Sequence, residues 1–191
     1  MDDDILFFVN ENSLSNELCS EIIQLFENNT DKYPGITGGG LNKSVKNTTD
    51  LVIPMYDVKW KRIYKFILSE LQTNIKKYFS KMSEFNYNDN LTLNSIQVQK
   101  YNKGEGKYIY HDDARIYNGK CRKITFIWYL NNITDGGETE FTNFKVKPEA
   151  GKLVLFPSSW VYPHRANVPI SDDKYIMTGW LLEKTIIYDN L

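Results

Sequence analysis

The sequence predicts an α+β fold, mainly β: a jelly-roll core with two or more N-terminal helices packed on it. Three observations carry that expectation. Helical spacing of apolar residues is confined to the chain before about residue 90. From Leu91 onward the chain breaks into strand-length segments separated by Gly, Asn, Asp and Pro. Aromatic residues make up 14% of the chain, 13 of them tyrosines, which suits pleated and half-buried faces. With 191 residues, 41% hydrophobic and 25% charged, the chain reads as one domain over 1–191, a helical prelude to 90 and a jelly-roll core over 91–184.

Taken in order, Leu6 to Val9 reads as a short strand. Ser15 then caps a helix whose apolar positions Leu18, Ile22, Ile23 and Phe26 recur at helical spacing, and Asn28-Asn29 ends it. Lys32 to Asp50 changes to Gly, Thr, Asn, Ser and Lys, including Gly38-Gly39-Gly40, and reads as a long mobile loop; its Gly35 to Lys46 stretch is a candidate lid. The clearest helix runs from Asp57 to about Met82, with Ile63, Phe66, Ile67, Leu71, Ile75, Tyr78 and Phe79 forming one apolar stripe. Expected strands lie at Ser95 to Tyr101, Lys107 to His111, Lys123 to Leu130, Thr139 to Phe141, Leu153 to Phe156, Tyr162 to Asn167 and Tyr175 to Leu182. So many short strands bury their apolar side chains only by packing face to face.

Composition narrows the function. A formal charge of -1 gives no electrostatic case for nucleic acid or an anionic membrane as partner. Cys19 and Cys121 cannot build a disulfide framework, which favours a reducing, cytoplasmic setting. The start Met1-Asp2-Asp3-Asp4 is acidic and the apolar run behind it short, unlike a signal peptide, and no segment approaches a membrane span. A soluble intracellular protein is expected.

His111 and His164 are the only histidines. In His111-Asp112-Asp113, alternation along a strand puts His111 and Asp113 on one face and turns Asp112 away. With His164 from a facing strand they would form two imidazoles and one carboxylate, the set that holds non-haem Fe(II) with positions left open. H-x-D alone is common by chance, and its weight in this chain depends on its neighbours. Lys174 lies ten residues after His164, where a cation can meet the far carboxylate of a bidentate acid such as 2-oxoglutarate.

Four stretches, V-Q-K-Y-N-K-G-E-G-K-Y-I-Y-H-D-D (98–113), Y-L-N-N-I-T-D-G-G-E-T-E-F (129–141), V-K-P-E-A-G-K-L-V-L-F-P (146–157) and P-H-R-A-N-V-P-I-S-D-D-K-Y-I-M-T-G-W (163–180), resemble the prolyl 4-hydroxylase-like Fe(II)/2-oxoglutarate-dependent dioxygenases in order and spacing. The family's core is a double-stranded β-helix. The resemblance implies His111, Asp113 and His164 as iron ligands, Lys174 as partner of the 2-oxoglutarate C5 carboxylate, and Tyr101 and Tyr129 in the cosubstrate pocket. It also implies O2 as co-reactant, succinate and CO2 as products, and ascorbate as reductant. No catalytic residue beyond the metal site is required. Tyr108, Arg165 and Trp180 are candidates for meeting substrate or backing the ligands, and Gly136-Gly137 is read as an architectural turn.

The resemblance favours a prolyl residue in a peptide or protein as the hydroxylated substrate. A free amino acid or other small molecule, a non-catalytic jelly-roll binding module, and a hydrolytic zinc site on the same ligands are the competing readings. Neither the identity of the substrate nor the oligomeric state is legible in the sequence.

Overall fold

The computed structural model describes residues 4–82 and 91–184. Two antiparallel sheets face each other, and two helices cover the outer face of the larger one. With strands numbered in chain order, the larger sheet runs edge to edge through β1 (Phe8–Asn10), β11 (Leu153–Pro157), β8 (Lys120–Tyr129), β13 (Lys174–Lys184), β5 (Thr92–Tyr101), β4 (Thr49–Val52) and β2 (Tyr33–Pro34). A further strand, β7 (Ile116–Tyr117), pairs with β8. The smaller sheet runs β10 (Lys145–Val146), β9 (Thr139–Phe141), β12 (His164–Ala166), β6 (Lys107–His111) and β3 (Lys46–Asn47). This is the expected mainly β jelly-roll. The prelude is not purely helical, because β1 to β4 come from it and join both sheets. Its last stretch, 83–90, lies outside the described residues.

Strand β8 shows why the larger sheet is the spine. Ile124, Phe126, Trp128 and Leu130 join one apolar cluster with Ile22 and Phe26 of α1 (Asn16–Glu27) and Trp60, Ile63, Ile67 and Leu71 of α2 (Val58–Ser80). The alternate residues Ile127 and Tyr129 join a second cluster between the sheets, with Phe141, Val154, Phe156 and Ile176. Both faces of the strand are therefore core, and each such buried side chain stabilises the fold by about 1.5–3 kcal/mol.

Both helices begin where the sequence marks them. Ser15 accepts the Leu18 amide, and the Asp57 carboxylate accepts the amides of Lys59 and Trp60. One part of the stripe on α2 needs correction: Phe66 is 51% exposed, whereas Asn74 is fully buried. The buried line advances 60, 63, 67, 71, 74, 78, which leaves 66 to one side. Asn74 belongs in that line because Ser13, Glu70 and Asn10 satisfy its amide.

The loop expected over 32–50 is also corrected. It carries β2 and β3 and leads into β4, and its polar composition hides them because their contacts are ionic rather than apolar. Lys46 of β3 in the smaller sheet reaches Asp50 of β4 in the larger at 2.6 Å, and Thr48 donates to the other Asp50 oxygen at 2.8 Å. All three are buried. Gly35 packs directly on them, since a Cβ there would fall 2.0 Å from Thr48 Oγ1. The pair ties the two sheets where the chain crosses between them.

Lys46→Met strands a buried carboxylate and is expected to cost about 3–5 kcal/mol. Arg62→Met, which breaks an exposed pair with Glu21, should cost less than about 1 kcal/mol. Chemical denaturation of both variants checks this, and equal losses would refute the tie between sheets.

Candidate metal centre

The register between β6 and β12 builds the site. His164 stands opposite His111, but two residues further on Ala166 stands opposite Tyr108, so β6 spends three residues against two of β12. That β-bulge re-aims the strand. Tyr108 and His111, which simple alternation would separate, lie on the same side with their rings stacked at 3.5 Å. Ile109 and Tyr110 are left on the outside, each 45% exposed. Asp113 stands just past the end of β6, and its Oδ2 comes within 3.8 Å of His164 Nε2. The donor atoms of His111, Asp113 and His164 all lie within 4.8 Å of one another.

Each imidazole is oriented by a backbone carbonyl two residues upstream. His111 Nδ1 donates to Ile109 O at 2.8 Å, and His164 Nδ1 to Tyr162 O at 3.0 Å. Because a carbonyl only accepts, both rings carry hydrogen on Nδ1, and in the neutral ring this tautomer leaves the Nε2 lone pair free. Burial, helped by the neighbouring His164, pushes the His111 pKa down to about 4, so the ring is neutral at physiological pH. Burial would raise the Asp113 pKa, but His164, His111, the Thr125 hydroxyl and Arg122 together outweigh it and hold the carboxyl below its ordinary value. A neutral His111 ring beside an ionised Asp113 carboxylate is the protonation state a divalent metal needs.

Further into the same pocket lies Lys174. It is 1% exposed, donates to Gly137 O at 2.8 Å and sits 4.3 Å from the centre of the Tyr101 ring. Among the described residues no carboxylate lies within ion-pair distance of it, and burial pulls its pKa down to about 7. Gly136 and Gly137 both have positive φ, and a Cβ on Gly136 would strike Val168 O at 2.4 Å. The turn is architectural as expected, and it also supplies the carbonyl that holds the lysine. Tyr101 lines the pocket and donates to Gln99 Oε1 at 3.0 Å. Tyr129 lies behind the wall, fully buried, and donates to Thr139 Oγ1 at 2.7 Å; Thr139 itself lines the pocket.

The remaining sequence candidates divide. Tyr108 and Trp180 line the pocket. The Trp180 indole N–H is buried without a hydrogen-bond partner, and the Arg122 guanidinium lies 3.5 Å from the centre of its ring. Arg165 is absent from the pocket wall; it pairs with Glu140 at 2.7 Å and lines an outer groove beside Tyr110. Asp112 turns outward and accepts the Ala114 amide. Sequence reasoning misses Thr125, Arg122 and Ser158. A usable signal exists for the first, since Thr125 is the one polar residue in the apolar run Ile124 to Leu130.

Fold and donor set together define a jelly-roll protein with a two-histidine, one-carboxylate centre. Residues 96–182 match the family model of the 2OG-Fe(II) oxygenase superfamily. No curated protein matches the chain in sequence. Among solved structures, it is similar to a viral collagen prolyl hydroxylase from Paramecium bursaria Chlorella virus-1 in complex with 2OG, at 18% identity and TM-score 0.69, over 95% of this chain and 98% of that one. It is similar to a Pseudomonas putida prolyl-4-hydroxylase at 18% identity and TM-score 0.71, over 94% and 93%. A Trichoplax adhaerens prolyl hydroxylase in complex with a hypoxia inducible factor oxygen degradation domain peptide fragment is similar at 21% identity and TM-score 0.71, over 95% and 85%. These likenesses show the fold.

The residues present fit both groups that the superfamily's name implies. Two imidazole Nε2 atoms and a carboxylate suit Fe(II), and a buried ammonium with no ion-pair partner suits an anionic ligand. The Lys174 pKa then sets a pH dependence. The folded-state pKa is depressed, so the ammonium is present below pH 7 and lost above it. Affinity for a carboxylate ligand, probed with 2-oxoglutarate and Mn(II) by calorimetry, should fall by about tenfold per pH unit above 7. Lys174→Arg, which does not titrate, should flatten the profile. A flat wild-type profile would contradict the assignment.

Proposed function

We propose that the protein is an Fe(II)- and 2-oxoglutarate-dependent dioxygenase that hydroxylates an unactivated carbon, with a prolyl residue in a peptide or protein as substrate. The observation that carries this reading is the unpaired, buried Lys174 in the same narrow pocket as the His111, Asp113 and His164 donors. A zinc hydrolase would have no use for that lysine. When bound, Fe(II) and 2-oxoglutarate supply the oxidising chemistry: O2 is reduced, the keto acid becomes succinate and CO2, and one oxygen atom passes to the substrate carbon.

The protein's part is to bind, orient and exclude water. His111, Asp113 and His164 would hold the metal at the pocket they line. Lys174 pairs with the C5 carboxylate of 2-oxoglutarate, replacing the solvation it lost on burial. Tyr101 flanks that end, and Tyr129 braces it through Thr139. Ile127, Ala166 and Ile176 make the walls apolar. No acid–base pair is required, and Tyr108, with its pKa raised to about 12 by burial and by Asp113, stays a neutral ring at the mouth.

The peptide reading draws support from the outer groove along β6 and β12. It has a volume of about 420 Å³, carries exposed Ile109 and Tyr110, and shares Tyr108 and Ala166 with the pocket, so a chain lying in it reaches the metal side. Likeness to prolyl hydroxylases, one of them in complex with a peptide, points the same way. Ascorbate is the proposed reductant. A reducing cytoplasm suits the free Cys19 and Cys121, and no described helix is long and apolar enough to cross a membrane.

Anaerobic addition of Fe(II) and 2-oxoglutarate should produce a visible absorption band in the wild type. The band should vanish in His164→Ala and require at least about tenfold more 2-oxoglutarate in Lys174→Ala. Succinate release with proline-containing peptides then tests the substrate. Absence of the band in folded, iron-loaded protein would leave a binding module or a zinc site as the better reading.

A further inference from the structure

We infer that Thr125, backed by Ser158, is a positioning residue that sets the plane of the Asp113 carboxylate where it meets the metal. The inference rests on the metal-centre reading of His111, Asp113 and His164. Asp113 lies beyond the last paired residue of β6, and the terminal torsion of an aspartate is broad and weakly restrained. Something other than the backbone must hold it. Thr125 Oγ1 lies 2.8 Å from Asp113 Oδ2, and Ser158 Oγ lies 2.7 Å from Thr125 Oγ1.

The direction of this chain is fixed by chemistry. An ionised carboxylate only accepts, so the Thr125 hydroxyl spends its one hydrogen on Asp113. The Thr125–Ser158 contact must then run from Ser158 to Thr125, which polarises the threonine and strengthens its donation. Thr125 is 1% exposed and Ser158 3% exposed, so bulk water does not offer either hydroxyl an alternative partner.

Both hydroxyls stand on rigid supports. Thr125 sits on central strand β8, paired with Phe156 of β11 on one side and Trp180 of β13 on the other. The Ser158 amide donates to Lys123 O at 2.9 Å, which pins it beside the same strand. On the other flank, Arg122 comes to 3.9 Å from Asp113 Oδ1 and is held against the Trp180 ring. The carboxylate is therefore bracketed from both of its oxygens. A threonine serving only to fill this part of the core would be replaced well by valine, whose shape it shares.

The test titrates Co(II) into the full-length apo-protein, reading affinity by calorimetry and coordination by the visible bands of the metal. Thr125→Val should weaken Co(II) binding by about 10- to 100-fold and change the band pattern. Thr125→Ser, which restores the hydroxyl, should return affinity to within about threefold of wild type. Ser158→Ala should weaken binding by a smaller factor, and its effect should disappear in the Thr125→Val background because it acts through Thr125. Melting temperatures of the apo-proteins confirm folding, and should Thr125→Val not fold, the Ser158→Ala affinity decides. Wild-type affinity and bands in Thr125→Val, or in a Ser158→Ala measured in its place, would overturn the inference while leaving the metal centre intact. A wild type that binds no Co(II) would overturn the metal centre and the inference with it.

Discussion

The antiparallel pairing that sets His164 against His111 is the contact on which the pocket depends. It brings residues 53 positions apart in the sequence face to face. The bulge beside it swings Tyr108 over His111 and throws Ile109 and Tyr110 outward. It also leaves Ile109 O within reach of His111 Nδ1, and that one hydrogen bond chooses the tautomer and frees Nε2. Register, ring orientation and metal-binding form are thus consequences of one irregular ladder.

Such a ladder needs a stiff partner, and the larger sheet provides it. Because β8 is covered by helices on one face and by the smaller sheet on the other, it has no freedom to slip, and a slip of one residue would turn Thr125 away from Asp113 and point Phe126 at the pocket. Neighbouring β13 carries Lys174 and Trp180 from opposite ends of the pocket on the same backbone. The metal donors come mostly from the small, irregular sheet, and the groups that would face ligand or hold the donors come from the large, regular one.

Much of this is legible in the sequence because the signals are local. The caps at Ser15 and Asp57, the alternation in Lys123 to Leu130 and the spacing of His111, Asp113, His164 and Lys174 each reflect a rule acting over a few residues, or a motif read in order. The misses are of another kind. Strands β3 and β4 are held by an ion pair and by edges of sheets formed much later in the chain, so nothing apolar in 32–50 announces them. Hydrophobicity alone marks Phe66 for burial, whereas Asn74 takes the buried position by finding Ser13 and Asn10 across the fold and Glu70 one turn back on its own helix. Thr125 and Ser158 meet only because β8 and the end of β11 run side by side, and no local pattern encodes a contact between residues so far apart.

Four buried charges show how the same interior can serve structure and chemistry. Lys46 and Asp50 neutralise each other at 2.6 Å with Thr48 satisfying the remaining oxygen, and a closed pair of that kind has nothing left to bind. Asp113 is half closed: hydroxyl and guanidinium hold it from outside while its flank toward His111 and His164 stays open. Lys174 is open, held in place by one carbonyl and one aromatic ring, with no carboxylate among the described residues within ion-pair distance and only Glu138 acting on it from further off. An ammonium buried without an anion is unfavourable unless something from outside completes it. Completing it with a carboxylate would remove that cost and fix the ligand's orientation in a single step, with the ligand's other end directed toward the three donors.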